Sequence, residues 1–461
     1  MLFSGVQFLY YFLSAVLILY FISPRKLKNT VLLVSSLIFY GWGEPKYVVL
    51  MIASVVIGYI SARIIEAKNN LLVRRVVLIV SVTVLLGFLG YFKYADFFIS
   101  NFNQVSGMEI PLLKIALPIG ISFYTFQILS YVVDVYRGDV NAQKNIINLA
   151  TYITMFPQLI AGPIVRYIDI VSDITERKHT FAGFSLGVRR FVIGLSKKVL
   201  IANVLGELCD IIKTSNDMSV IYYWMYAVCI ALQIYFDFSG YSDMAIGLGR
   251  IFGFKFPENF NYPFIAKNIT EFWRRWHMSL GAWFRDYVYI PLGGNRVSKP
   301  RWFLNIFIVW MLTGFWHGAA WNFIAWGLFF AVFLCVERLF LLKWLDGKKI
   351  ISRIYIVVTL AISFIIFDTE SVQTALLYIR NMFGMGGVPF VSEESIYYMK
   401  SYAIPLIIGI VGATPAVKLI TGKINEKVRN VLEPVVLLLL VTVVTAFLVD
   451  GSFNPFLYFR F

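Results

Sequence analysis

Two histidines lie about 40 residues apart, each embedded in tryptophan. His277 sits in FWRRWHMSLGAWFRDYVYIPLGGNR, residues 272–296, and His317 in TGFWHGAAWNFIAWG, residues 313–327. An imidazole has an unperturbed pKa of about 6.5, so near neutral pH it can take a proton from a hydroxyl and return it later in the same reaction. Apolar surroundings disfavour the imidazolium, which leaves a tryptophan-lined histidine neutral and ready to accept. His317 occupies a glycine-punctuated junction between two strongly apolar runs, where an ionisable side chain is costly and by default marks a functional site. His277 stands one helical turn from Trp273. A ring that merely packs and hydrogen-bonds accounts for one such histidine equally well; the second shifts the weight towards chemistry. The third, His179, falls in the polar stretch ERKHTF and reads as solvated.

Around these rings stand other side chains with chemical capacity. His277, Asn322 or Asp286 can orient the His317 ring or stabilise charge on a carbonyl oxygen, and the sequence does not choose among them. For Asp286 an ion pair with a nearby arginine is the preferred reading. Arg274, Arg275 and Arg285 match phosphate as planar donors and serve equally as anchors beside anionic lipid. Trp273, Trp276 and Trp316 are candidates to line a passage. Asp237 and Asp243 flank Ser239 and Gly240 in FDFSGYSDMAIG, residues 236–247, and read as caps on a broken helix rather than as acid–base groups. The cysteines Cys209, Cys229 and Cys335 lie too far apart for metal-ligand spacing, so neither a metal site nor a disulfide framework is expected.

The elements that must hold these residues are membrane elements. Of 461 residues 59% are apolar and only 15% charged, whereas a soluble domain holds about a quarter of its residues as charged ones. Apolar runs recur at 3–22, 30–42, 46–64, 72–92, 148–165, 186–205, 220–238, 303–316, 319–340, 352–368, 401–419 and 431–449. They predict an all-α bundle of about eleven or twelve spans, each needing roughly 20 residues. The net charge of +15 is gathered in short loops, which fits the positive-inside bias and anionic lipid rather than nucleic acid. The basic loops at Pro24–Lys28 and around Lys68, Arg74 and Arg75 are two spans apart, hence on one side; taken as cytoplasmic, they place the N-terminus outside. The run from Met1 to Phe21 lacks a basic leader and a cleavage site, and reads as a retained span. Proline, glycine and acidic residues interrupt 117–137, 156–167 and 236–247, predicting re-entrant or broken helices around a cavity. Residues 268–290 alternate aromatic and charged positions at helical intervals and predict one amphipathic helix at the membrane interface. No repeat or linker divides the chain, so one domain is expected.

The sequence resembles the membrane-bound O-acyltransferase superfamily, and within it the alginate O-acetyltransferase-like branch. The resemblance is carried by PQLIAGPIVRY (157–167), YFDFSGYSDMAIGLGRIFGF (235–254), NFNYPF (259–264), the two histidine blocks and the terminal FLYFRF (456–461). It implies that His317 is the catalytic histidine and His277 the second motif histidine. It further implies a helical bundle around a central tunnel, with peripheral helices over about 1–100, a catalytic core over about 110–345 and C-terminal helices over about 350–461. In that tunnel a cytoplasmic acyl donor, acetyl-CoA or another thioester, meets an acceptor from the far side, and no tightly bound cofactor is involved. In this branch the acyl group passes to a separate extracytoplasmic transferase that modifies a polysaccharide, which places the protein in the cell (inner) membrane. The aromatic tail with Tyr458 reads as an interfacial anchor, and the resemblance adds an acyl relay or a docking point for the partner. Three other readings stay open: D-alanyl transfer towards teichoic acid, transfer of a long fatty acyl chain, and a channel or transporter with no covalent chemistry, which would have no particular use for His317.

Overall fold

In hydrocarbon a backbone must satisfy its own amides, and among the described residues helices are the regular elements that do so. The computed structural model describes residues 3–451 and holds no strand among them. Six helices of the described residues are long and apolar enough to cross a membrane: Pro45–Ala67, Leu71–Ser106, Val220–Ile251, Trp321–Leu345, Lys349–Asp368 and Glu426–Val449. Glu393–Ser401 and Ala403–Gly412, bent by 61°, make a seventh if taken as one broken span. The class is the one expected from the sequence, a multi-span all-α membrane protein, with fewer full-length spans than apolar runs. Run counting cannot see where helices end. The 148–165 run is helical only over Ile146–Thr154; a second short turn, Phe156–Leu159, starts beside Pro157, and the chain stays non-helical to Tyr167. Lys28–Gly43, at 16 residues, falls short of a crossing.

Burial sorts the spans. The most apolar window of Val220–Ile251 is 78% buried, that of Glu426–Val449 only 6%. A helix apolar all round and unburied by protein belongs against lipid, and the second helix turns Val435, Leu438 and Leu439 outward.

The described chain divides into two compact units, one running up to Phe191 and including Ser242–Pro257, the other made of Val192–Tyr241 and the chain from Glu258 onward. The division crosses the chain more than once. In the first unit Val48–Ala67 packs on Ile121–Arg137 and Leu71–Leu89. The interruption read in 117–137 is placed before the helix, at Gly120, whose φ is +75°; Asp134 then lies buried inside a continuous turn. His179 is not simply solvated: its Nε2 lies 2.8 Å from the Tyr20 hydroxyl. Burial, and then the charges of Lys28 and Arg177, push its pKa below the ordinary value.

The expected break at 236–247 is absent. Val220–Ile251 runs unbroken for 32 residues, because its polar and glycine positions serve contacts between helices rather than caps. Within the second unit, a Cβ on Gly240 would lie 2.7 Å from the Gly194 carbonyl oxygen, so the helices meet backbone to backbone. One turn away Asp237 forms a buried ion pair with Lys198, each side chain 3% exposed. Within the first unit Asp243 pairs with Arg190 at 2.8 Å. Ion pairing across the contact therefore replaces the capping role expected for both aspartates.

Candidate functional site

The site lies wholly in the second unit. His317 is the last residue of the Lys299–His317 helix, and Gly318 follows it in extended conformation. The next helix, Trp321–Val336, returns so closely that a Cβ on Gly314 would stand 2.2 Å from the Phe323 carbonyl oxygen, and one on Gly327 2.2 Å from that of Trp310. Small residues are what allow membrane helices this approach, and it fixes the helix end that carries His317. The imidazole, 8% exposed, lies among Trp316, Trp326 and Phe367 at centroid distances of 5.0, 5.1 and 5.3 Å.

Residues 268–290 depart from the single amphipathic helix expected. They form Ile269–Trp273 and Met278–Phe284, separated by a break that places His277 in the left-handed region at φ +43°. That conformation costs a non-glycine residue roughly 1–2 kcal/mol, and neighbouring contacts hold it. Met278 N–H donates to the Asn259 carbonyl oxygen at 3.0 Å, and Asn261 N–H to that of Arg275 at 2.9 Å. The Asn259 side-chain oxygen accepts from Ser279 N–H at 3.3 Å and from the Ser279 hydroxyl at 2.9 Å, and lies 3.1 Å from His277 Nδ1. Because a backbone N–H can only donate, that atom is the oxygen and His277 Nδ1 carries the proton. Burial, with the nearby His317 adding to it, pushes the His277 pKa well below the ordinary histidine value, and its turn belongs to none of the spanning helices. Its ring packs edge-on to Phe238 at 4.7 Å and to Trp316 at 6.0 Å. Both histidines therefore pack on Trp316.

A cavity of about 40 Å³ opens beside His317. It has room for about three water-sized centres, since one water needs roughly 10–15 Å³ of such space. Trp273 and Trp276 line it as proposed from sequence, together with Ile234, Asp237, Phe238, Phe272, Trp326, Phe330, Ser363, Phe364 and Phe367. Trp316 packs behind His317 instead. Asn322 does not reach the ring: its Nδ2 donates to the Phe367 and Thr369 carbonyls at 3.3 and 2.9 Å, pinning the end of the Lys349–Asp368 helix. Asp286 pairs with its neighbour Arg285 at 2.7 Å, away from the cavity lining. Arg275 pairs with Glu271 at 2.9 Å and donates to the Asn261 carbonyl at 3.1 Å. Arg274 and Arg285 are exposed. Tyr458 lies outside the described residues. Among the described residues no group of three or more His, Cys, Asp or Glu side chains is arranged to hold a metal.

Three contributors were given no part in the site from sequence. Asn259 belongs to a quoted motif without an assigned role, and Asp237 was read as a cap. The third is Glu337, fully buried, whose carboxylate accepts from Ile269 N–H (2.6 Å), Thr270 N–H (2.8 Å), the Thr270 hydroxyl (2.6 Å) and the Tyr355 hydroxyl (3.0 Å). It caps from a distance the short helix bearing Phe272 and Trp273, and satisfies amides the helix cannot. Its only trace in the sequence is a carboxylate at the end of an apolar run. Each buried donor left unsatisfied costs about 1–3 kcal/mol, so Glu337→Ala should lower the midpoint of thermal unfolding by at least several degrees. Glu337→Gln, which keeps one accepting oxygen, should fall between; a thermal melt of the purified variants reads the order.

The sequence model of the family described as MBOAT, membrane-bound O-acyltransferase family, matches residues 138–346, a stretch that includes both site histidines. The chain is 42% identical to the probable alginate O-acetylase AlgI of Pseudomonas aeruginosa, over 84% of this chain and 75% of that protein. It is 36% identical to the probable alginate O-acetylase AlgI of Pseudomonas putida over the full length of both. A peptidoglycan O-acetyltransferase of Helicobacter pylori is 33% identical over 84% of this chain and 81% of its own.

Proposed function

The chain belongs to the membrane-bound O-acyltransferase family, and from that premise we propose that it transfers acetyl from cytoplasmic acetyl-CoA towards an extracytoplasmic polysaccharide, with His317 as general base. The observation that carries this reading is the seat of His317: a base-capable ring facing a small, aromatic-walled cavity. A cavity of this size suits a two-carbon acyl group beside an attacking oxygen. The names of the relatives, an alginate O-acetylase and a peptidoglycan O-acetyltransferase, support acetyl as the group and an envelope glycan as its destination.

In this reading His317 takes the hydroxyl proton as the oxygen attacks the thioester carbonyl. The C–S bond breaks and the imidazolium returns its proton to the departing thiolate. His317 closes the Lys299–His317 helix, whose partially negative C-terminal end favours the charge the imidazole gains in the reaction. His277, its tautomer fixed by Asn259, acts through Trp316 and positions the face against which His317 packs. Arg274 and Arg285, exposed beside this block, suit the phosphates of the donor. The basic loops support an N-terminus outside the cell membrane, and in this reading a separate transferase completes delivery to the polymer.

Liposomes containing the purified protein, supplied with labelled acetyl-CoA or palmitoyl-CoA, test the donor. Acetyl should be released from CoA at least about tenfold faster than palmitoyl, as expected where the small cavity selects the acyl group. Equal use of both donors, or use of a D-alanyl carrier protein alone, would overturn the assignment of acetyl.

A further inference from the structure

Near the end of the Leu13–Ile22 helix, within the first unit, the buried Tyr20 gathers positive charge around it. Its hydroxyl gives its one hydrogen to the Phe252 carbonyl at 2.7 Å, so the oxygen accepts from Arg177 Nε and from His179 Nε2, each at 2.8 Å. Lys28 Nζ donates to the Tyr20 carbonyl at 3.0 Å and stands 4.3 Å from the centre of its ring. The charges that bear on His179 are those of Lys28, Arg177 and Arg25, all positive. Among the described residues no carboxylate pairs with any of them. Asp173, one turn before Arg177, accepts instead from the Lys255 N–H at 3.0 Å, and Glu176 is exposed. Two helices of 16 residues, Lys28–Gly43 and Phe181–Ser196, begin beside the cluster, and their N-terminal ends add partial positive charge.

The cations differ in what they have left to offer. Arg177 is committed to Tyr20 through Nε and to the Asn29 side-chain oxygen through Nη1 at 2.6 Å, and its guanidinium lies 4.6 Å from the centre of the Phe254 ring. It supplies field rather than contact. Lys28 spends one hydrogen on the Tyr20 carbonyl and keeps the others, and Arg25 is exposed. Next to them the surface is apolar. Exposed Phe21 packs on His179 at 5.9 Å and on Phe184 at 5.8 Å, and Ile22 and Phe181 are exposed as well. Unanswered cations beside exposed rings match the two halves of a phospholipid, whereas a soluble phosphate would leave the apolar half uncovered.

We propose that Arg25 and Lys28, in the field of Arg177 and His179, bind the phosphate of an anionic phospholipid whose acyl chain lies along Phe21 and Phe184. The site does not depend on the acyltransfer reading. It differs from the general attraction of basic loops to a membrane because Tyr20 holds Lys28, Arg177 and His179 at one point.

Phosphatidylglycerol, phosphatidylcholine and soluble glycerol 3-phosphate, each titrated onto the purified full-length protein in detergent and counted by native mass spectrometry, test the site. Wild type should bind phosphatidylglycerol at least about tenfold more tightly than phosphatidylcholine, since each basic side chain close to an anionic lipid contributes about fivefold. Arg25→Gln and Lys28→Gln should each weaken that binding about fivefold. Lys68→Gln, which alters an exposed lysine of the other basic loop, should leave it unchanged. Arg25 is exposed and its replacement leaves the packing around Tyr20 intact, so its effect reports lipid rather than folding. Equal weakening by Lys68→Gln would reduce the site to a general attraction and overturn the inference. Unchanged binding in both Arg25→Gln and Lys28→Gln, or equal affinity of wild type for the two lipids, would overturn it too. Glycerol 3-phosphate bound as tightly as phosphatidylglycerol would make a soluble phosphate the ligand and overturn the lipid.

Discussion

Replacing His317 with alanine should reduce acyl transfer by about 10²–10⁴-fold, the usual loss when a general base is removed, while the protein remains folded. The ring borders a cavity that already exists, and its aromatic neighbours Trp316, Trp326 and Phe367 also pack on other groups. Its loss therefore extends a void rather than opening one in a close-packed core. Initial rates of acetyl release from labelled acetyl-CoA, with size-exclusion profiles to establish folding, give the comparison. A folded His317→Ala protein within a few fold of wild type would deprive the site of its base and revive the non-enzymatic readings, in which a channel has no use for this imidazole.

Gly327→Val should have an equally large effect on a different quantity, the yield of folded protein. The Lys299–His317 and Trp321–Val336 helices meet where a Cβ on Gly327 would sit 2.2 Å from the Trp310 carbonyl oxygen. The obstacle is backbone and cannot rotate away, so the helices must separate. Overpacking of this kind costs typically 1–3 kcal/mol, occasionally more, and here it also withdraws the close contact that holds the end of the helix bearing His317. Gly281 offers the control. It lies in the Met278–Phe284 helix with nothing within 4 Å of the position a Cβ would take. Gly281→Ala should express normally and gain up to about 1 kcal/mol from helix propensity. Monodisperse, stable Gly327→Val protein would contradict the packing argument.

Much of the fold and part of the site were legible in the chain because hydrocarbon imposes a simple grammar. Long apolar runs must be helices, and an imidazole at a glycine-punctuated junction between two of them marks a candidate site. Trp273 and Trp276 were readable as wall residues from their place beside His277. Other features depend on partners distant in sequence. Ser239 and Gly240 look like a helix break until the neighbouring helix is seen to need Gly240's bare backbone and Asp237 is seen to face Lys198. The turn at His277 contains neither glycine nor proline, so periodicity carried the expected helix straight through it. Asn259 and Asn261, on a loop well before it in sequence, hold the break in place. Asn322 shows the converse: a polar residue close in sequence to His317 is committed to the carbonyls of Phe367 and Thr369, about 45 residues on. Spacing along the chain locates what a helix carries. It does not say which other helix will claim it.

Acyl transfer at His317 depends on what occupies the cavity. A structure of the protein with a ketone analogue of acetyl-CoA, in which a methylene replaces the thioester sulfur, examines that most directly. The two-carbon group should lie in the cavity between Trp273 and Phe367, with an attacking oxygen able to stand within about 3 Å of a His317 ring nitrogen. An analogue bound with its acyl end elsewhere, and the cavity beside His317 closed to it, would contradict the account.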